Sequence, residues 1–288
     1  MFRPSLHPHH TIPNNKQNKV ENLADIMEFK PNQCYHRKAC TKGKTMQIYP
    51  FSPLWLITIV LSFTIIHSIK QTYKNKPIEK RKNFIKNFNI FVILFWITYK
   101  WTLSQDPTYD FIFWNELPLH LCNVTCILFL IASIKDWNLL RGLCFFTGTL
   151  GILFAFIMPD TNFSYISLFS YRGIGYWGYH ALMLIQSMSL VTLNIIQPDS
   201  KDVTRILILL ALLCLTIHGV NLILRATVYD QANYFYTFGI PGNIIMDFLI
   251  QKIPYPFLFM TPILVPLWIV CNLISKVIQN LKDKEKVA

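Results

Sequence analysis

Charge is scarce in this chain, and negative charge is the scarcer kind. Asp, Glu, Lys and Arg together make up 15% of 288 residues, with 15 acids against 27 bases. Stretches near 20 residues long, such as 174–196, contain none of the four. That rules against a water-soluble core, because a soluble helix needs a polar face. The chain also lacks a disulfide framework: Cys122, Cys126, Cys144, Cys214 and Cys271 lie in apolar segments, where thiols pack as small hydrophobes. It lacks a closed zinc pattern, since Cys34, His36 and Cys40 have no fourth ligand at a suitable spacing. No cofactor or metal is expected. No secretory signal peptide precedes the first apolar run.

What is present is apolar and aromatic. Hydrophobic residues reach 52%, aromatics 15%, and the mean hydropathy is +0.34, which points to an all-α, polytopic membrane bundle. Seven spans are expected: Pro53 to Ile69, Phe88 to Leu103, Leu117 to Ile134, Gly142 to Met158, Ile174 to Ile196, Ile206 to Leu224 and Tyr255 to Ser275. The segment Phe235 to Leu249, broken by Gly239, Pro241 and Gly242, is too short to cross and is expected to lie in the interface or re-enter. Residues 1–45 have little apolar periodicity and are expected to be disordered. The membrane domain then covers 46–275, and 276–288 form a basic tail.

The net charge of +12 reads as topology rather than as a nucleic-acid surface, because the bases sit in loops beside spans. The first, third and fifth connections and the tail hold fifteen Lys and Arg, from Lys70 to Lys286; the other connections hold Arg172, Arg225 and Lys252. This predicts a multi-pass protein of the plasma membrane with a cytoplasmic C-terminus and the N-terminus outside. The eight bases within 1–45 conflict with an outside N-terminus, and a start at Met46 removes the conflict.

With that orientation, Cys122 lies about 8 Å into the third span and His180 about 9 Å into the fifth, at 1.5 Å per residue. His218 falls at a similar level on the sixth. A titratable group inside a membrane helix is costly and usually faces the bundle interior. His120, Asn221 and Asn233 add polar groups near the same layer, while Gly173, Gly175 and Gly178 leave room for close helix approach. His120 and Cys122 are about 200° apart on a regular helix, so both face one substrate only if the helix begins unwound. Pro118 suits the first turn of a helix starting at Leu117. Cys122 would then lie beyond the reach of the helix dipole, leaving His180 to activate the thiol.

The strings Leu117-Pro-Leu-His-Leu-Cys-Asn123, Arg172-Gly-Ile-Gly-Tyr-Trp-Gly-Tyr-His180 and Asn233-Tyr-Phe-Tyr236 resemble motifs of the YwaF family of bacterial integral membrane proteins, which is similar to the animal transmembrane protein 164. The likeness covers roughly residues 48–275. It implies a phospholipid acyltransferase whose Cys and His correspond to Cys122 and His180. His120, Asn123, His218, Asn221, Asn233 and Tyr234 are expected on the substrate side, with membrane phospholipid as the partner. The chain departs from the family in having Ile240, where a base often precedes the proline.

The function expected is therefore a Cys/His-dependent phospholipid acyltransferase or lipid esterase at the outer leaflet, in which a thiolate attacks the ester carbonyl and an imidazole moves the proton. The alternatives are a non-enzymatic transporter or lipid-binding protein that uses the histidines as ligands, and a metal site of Cys122 with two histidines. No acid inside a span supports proton-coupled transport. Each residue also has a packing reading, a buried thiol or imidazole satisfied by a neighbouring helix. The topology predicts that cysteines introduced at Thr108, Asn162 and Gln231 react with an impermeant maleimide on intact cells while one at Asn75 does not. The reverse pattern would overturn the orientation.

Overall fold

The computed structural model describes residues 47–107, 109–159, 163, 166–239 and 244–287. The expectations placed on residues 1–45, Met46, the Cys34, His36 and Cys40 trio, Thr108, Asn162, Ile240, Pro241 and Gly242 lie outside those residues.

Local chemistry sets the helix ends. Helix α1, Pro53–Tyr73, starts where the Ser52 hydroxyl accepts from Trp55 N and proline occupies the first turn. Helix α2, Ile78–Ser104, follows Pro77. Helix α3, Leu121–Lys135, ends on Asp136, which adopts a left-handed conformation with φ of 51°. The Asp136 carboxylate takes hydrogen bonds from Lys82 and then Arg141, which hold it below its ordinary pKa. The stabilisation from that shift is present above the ordinary carboxylate pKa and fades as pH falls through the depressed one. Helix α4, Asn138–Ile157, carries a π-helical turn at Thr147–Gly151. Helix α5, residues 171–192, is capped by the Ser170 hydroxyl and widens into a second π turn at Ile174–Gly178. Helix α6, Ser200–Thr227, is capped by Asp199. A short helix α7, Ile244–Lys252, and a 3-10 turn, Leu258–Ile263, lead into α8, Leu264–Val287. Two dipeptide strands, β1 Gln47–Ile48 and β2 Ile166–Ser167, pair antiparallel.

Helix α5 is the bundle's centre and touches α1, α2, α3 and α4. The freedom from charge of its residues 174–192 follows from that position, because Tyr179, His180, Met183, Leu184, Ile185 and Gln186 are all buried. The best 18-residue window of α4 is 67% buried, against 11% for α1 and 17% for the last helix. The peripheral helices therefore present apolar side chains such as Leu56, Ile57, Val60, Ile208, Leu212 and Val265 outward, where hydrocarbon is their suitable solvent. Inside, helices are joined by small polar contacts: Thr125 to Thr147 at 3.1 Å and Thr149 to Ser187 at 3.2 Å.

The chain is an all-α membrane helical bundle, and each of the seven expected spans coincides with a helix. Among the described residues four helices are long and apolar enough to cross a bilayer by length and composition alone, while α3 is shorter. Several boundaries differ from expectation: α2 begins at Ile78 and not Phe88, α5 ends at Thr192 and not Ile196, and α6 begins at Ser200 and not Ile206. The third helix begins at Leu121, not Leu117, because Leu119 N bonds Leu117 O at 2.7 Å in a tight turn around Pro118. The last helix continues past Ser275 to Val287, since nothing in its Lys-rich end interrupts helical hydrogen bonding.

Gly175 on α5 packs directly against the Tyr99 ring of α2. A Cβ there would meet the Tyr99 ring at 1.8 Å, whereas one at Gly219 meets nothing within 4 Å. Gly175→Ala is expected to cost about 1–3 kcal/mol through overpacking. Gly219→Ala should leave stability unchanged or raise it by up to about 1 kcal/mol through helix propensity. Thermal unfolding of the two variants in one detergent tests the contrast; equal melting temperatures would remove the close contact from the account.

Candidate functional site

The site is built where three elements end together: the last turns of α2, the start of α3 and the upper part of α5. Because α3 starts at Leu121, Cys122 occupies its first turn instead of a position several residues inside. Cys122 therefore lies within reach of the helix dipole, contrary to the expectation from a start at Leu117, since the first-turn amides have no intrahelical acceptor. The first intrahelical bond runs from Val124 N to His120 O, and the His120 side chain does not cap the helix. The amides of Cys122 and Asn123 lie against the thiol sulfur. The thiol donates to the Asn123 side-chain oxygen at 3.7 Å.

His120 has extended backbone, φ −72° and ψ 151°. The condition for His120 and Cys122 to share a substrate, a locally unwound start, is thus met. The His120 ring stands edge-on to Tyr234 at 5.2 Å and tilted to Tyr236 at 5.8 Å.

His180 is buried in α5. Its Nδ1 lies 2.7 Å from the Tyr176 carbonyl, and a carbonyl only accepts, so Nδ1 carries the proton and Nε2 keeps a lone pair. The ring packs on Tyr176 at 4.3 Å and near Phe156 at 6.4 Å. The preceding residue, Tyr179, donates its hydroxyl to the Cys122 carbonyl at 3.4 Å and lies against the Cys126 sulfur. Among the described residues no hydrogen bond joins the Cys122 thiol to the His180 ring.

What connects His120, Cys122 and His180 is a residue that the sequence reading passed over. The Lys100 ammonium, on α2, acts electrostatically on all three. It is paired with Glu116, whose side chain is 7% exposed, and it lies 5.3 Å from the centre of the Tyr99 ring. The Tyr109 hydroxyl donates to the other Glu116 oxygen. Glu116 sits on a 3-10 turn, Phe113–Glu116, in the connection before α3. Its negative field extends to Tyr229, whose phenol is raised above its ordinary pKa by burial first, then by Asp230 and Glu116. A signal for Lys100 was available: it is the one base inside an expected span, and such a residue normally needs a partner. It was missed because topology is read from loop charges.

The remaining candidates lie on the adjoining loop. Asn221 is fully buried and holds that loop, donating to Tyr234 O at 2.8 Å and Thr237 Oγ1 at 2.9 Å while accepting from Tyr234 N at 2.9 Å. Asn233 donates to Gly239 O and accepts from Phe238 N. His218 bonds Thr237 at 3.0 Å and lies against Phe238 and Phe257. Its ring contacts are thus on the loop after α6 and on the segment after α7, and those of His180 are on α4 and α5. Among the described residues no group of three or more His, Cys, Asp or Glu side chains is arranged to hold a metal ion. A cleft of about 380 Å³ lined by Tyr73, Lys80 and Phe88 lies at the α1–α2 turn and contains none of the site residues.

A family model described as the TMEM164 family matches residues 44–271, most of the chain. No curated protein and no solved structure matches. The chain belongs to the TMEM164 family.

Proposed function

We propose that this member of the TMEM164 family is a membrane-embedded acyltransferase or lipid esterase that uses Cys122 as nucleophile and His180 as base on a phospholipid ester at the outer leaflet. The observation that supports it best is the position of Cys122 in the first turn of α3, beside unpaired amides and within the field of Lys100. In this reading the thiol turns from Asn123, and His180 Nε2 takes its proton as sulfur attacks the ester carbonyl. The carbonyl oxygen becomes an oxyanion, which first-turn amides are suited to receive. Collapse forms a thioester on Cys122 and breaks the carbon–oxygen bond to glycerol. The leaving alkoxide takes the proton from His180, giving a lysolipid. An acceptor alcohol, or water, then attacks the thioester with His180 again removing its proton, and the thiol is restored.

The neighbours take supporting roles. Tyr176 O fixes the imidazole tautomer, and Tyr179 ties α5 to the Cys122 carbonyl. Asn221 and Asn233 shape the loop that brings Tyr234 and Tyr236 against His120. The orientation drawn from the basic loops places this end of the bundle outside the cell, with the C-terminal tail in the cytoplasm. A second reading, a non-enzymatic transporter or lipid-binding protein, draws on buried polar atoms that have no partner among the described residues: both amide atoms of Gln186, Asn89 Oδ1 and Ser189 Oγ. Such groups usually bind ordered water, which a solute path would also contain.

Purified protein in nanodiscs should release or transfer a labelled fatty acid from phospholipid and carry an acyl group on Cys122 by intact mass. Cys122→Ala should abolish both, His180→Ala should slow the reaction by about 10²–10⁴-fold, and Cys214→Ala should be silent. Full activity in Cys122→Ala would reject the nucleophile and favour the transporter.

The ion pair separates support from chemistry. Lys100→Met alone should cost about 3–5 kcal/mol, since it strands Glu116 in a nearly buried position. The double variant Lys100→Met, Glu116→Gln should recover most of that stability yet remain slow. A double variant with normal turnover would leave Lys100 a purely structural role.

A further inference from the structure

A second cation lies at the same end of the bundle and, among the described residues, has no anion. Arg172 starts α5 and is half-buried. Among the described residues its guanidinium makes no hydrogen bond and no ion pair, and its Nε is buried without a partner. Lys100, by contrast, is committed to Glu116. A guanidinium partly removed from water without a counter-ion is under-satisfied, and its planar fork matches a phosphate or carboxylate.

The surroundings give direction to that fork. The guanidinium carbon stands 5.8 Å from the centre of the Tyr109 ring. Tyr109 is followed by Phe163 at 6.5 Å, Phe163 stacks on Tyr176 at 4.6 Å, and Tyr176 meets His180 at 4.3 Å. An aromatic wall therefore runs from Arg172 to the imidazole. The Tyr99 phenol feels both the Arg172 guanidinium and the Cys122 thiol, so cation and nucleophile border one side chain.

We infer that Arg172 receives the phosphate of the lipid whose ester is delivered along this wall to Cys122. The inference rests on the lipid reading of the site and adds the residue that selects a phosphate-bearing lipid over a neutral one. Arg172 here positions substrate and takes no part in bond making.

Binding tests this without chemistry. Full-length protein carrying Cys122→Ala, in detergent micelles, is titrated with dihexanoyl phosphatidylcholine and with dihexanoylglycerol, read by intrinsic tryptophan fluorescence. Arg172→Gln should weaken the phospholipid about 10-fold or more, the scale of a charge-assisted hydrogen bond, and leave dihexanoylglycerol unchanged; Arg172→Lys should recover part of the loss. Equal weakening of both ligands, or of neither, overturns the assignment, as does displacement of phospholipid by inorganic phosphate alone at matching concentration, which would make the site one for free phosphate. Acylation of Cys122 in the otherwise unaltered protein is scored separately. Its failure with the Arg172 selectivity intact removes the enzyme reading and leaves the phosphate site; the opposite result removes only the phosphate site.

Discussion

The pairing of Lys100 with Glu116 is the constraint on which the functional end of this protein depends. A lysine near the end of an apolar helix either reaches water or finds an anion. Here it finds Glu116, which is itself almost wholly removed from solvent. That attraction draws the connection between α2 and α3 back over the bundle, where it folds into a 3-10 turn and then a tight turn at Leu117–Leu119. The chain has then used up the residues that would have formed the first turn of a longer helix. Helix α3 begins late, His120 is left extended, and Cys122 arrives beside amides that nothing else occupies. One ion pair thus fixes both the cation beside the candidate site and the backbone geometry at Cys122.

The gross architecture was legible because hydrocarbon permits few solutions. A run of apolar residues that long must be helical to satisfy its own backbone, so every expected span coincides with a helix. The site was legible in part. Cys122, His180 and His120 stand out as polar groups in apolar strings, and all three do share the field of Lys100. The start of α3 was not legible, because Pro118 suits a helical first turn and a tight turn equally well. Lys100 and Glu116 are fifteen or more residues apart in sequence, and no local periodicity links them. His218, Asn221 and Asn233 looked alike as polar groups at one depth, yet the two asparagines secure the backbone of a loop and His218 rests on its aromatic residues.

The interior below the site has a different character. Threonine and serine pairs join α3, α4 and α5, and the Gly148 backbone approaches Ser187 so closely that a Cβ would lie 2.8 Å from it. In a bilayer there is no hydrophobic drive between helices, so such close approach and small hydrogen bonds supply the cohesion. Asn89 donates to the Cys126 carbonyl at 3.2 Å but, among the described residues, its oxygen has no donor and Gln186 has neither kind of partner. The bundle is therefore tightly bonded on the α4 side of α5 and under-satisfied on others.

The π turn at Ile174–Gly178 makes α5 two helices in different phase. A turn of this kind holds one residue more than an α-helical turn, equivalent to about 100° of rotation. Residues before it, including Arg172, and residues after it, including His180, therefore face directions that no single helical wheel relates. Loss of one residue from the turn would leave an ordinary α-helical turn and keep the imidazole in its place, whereas loss of one residue elsewhere in α5 would turn everything beyond it by about 100°. The register of this helix is thus a heritable setting carried by chain length rather than by side-chain identity, so substitution alone does not reset it.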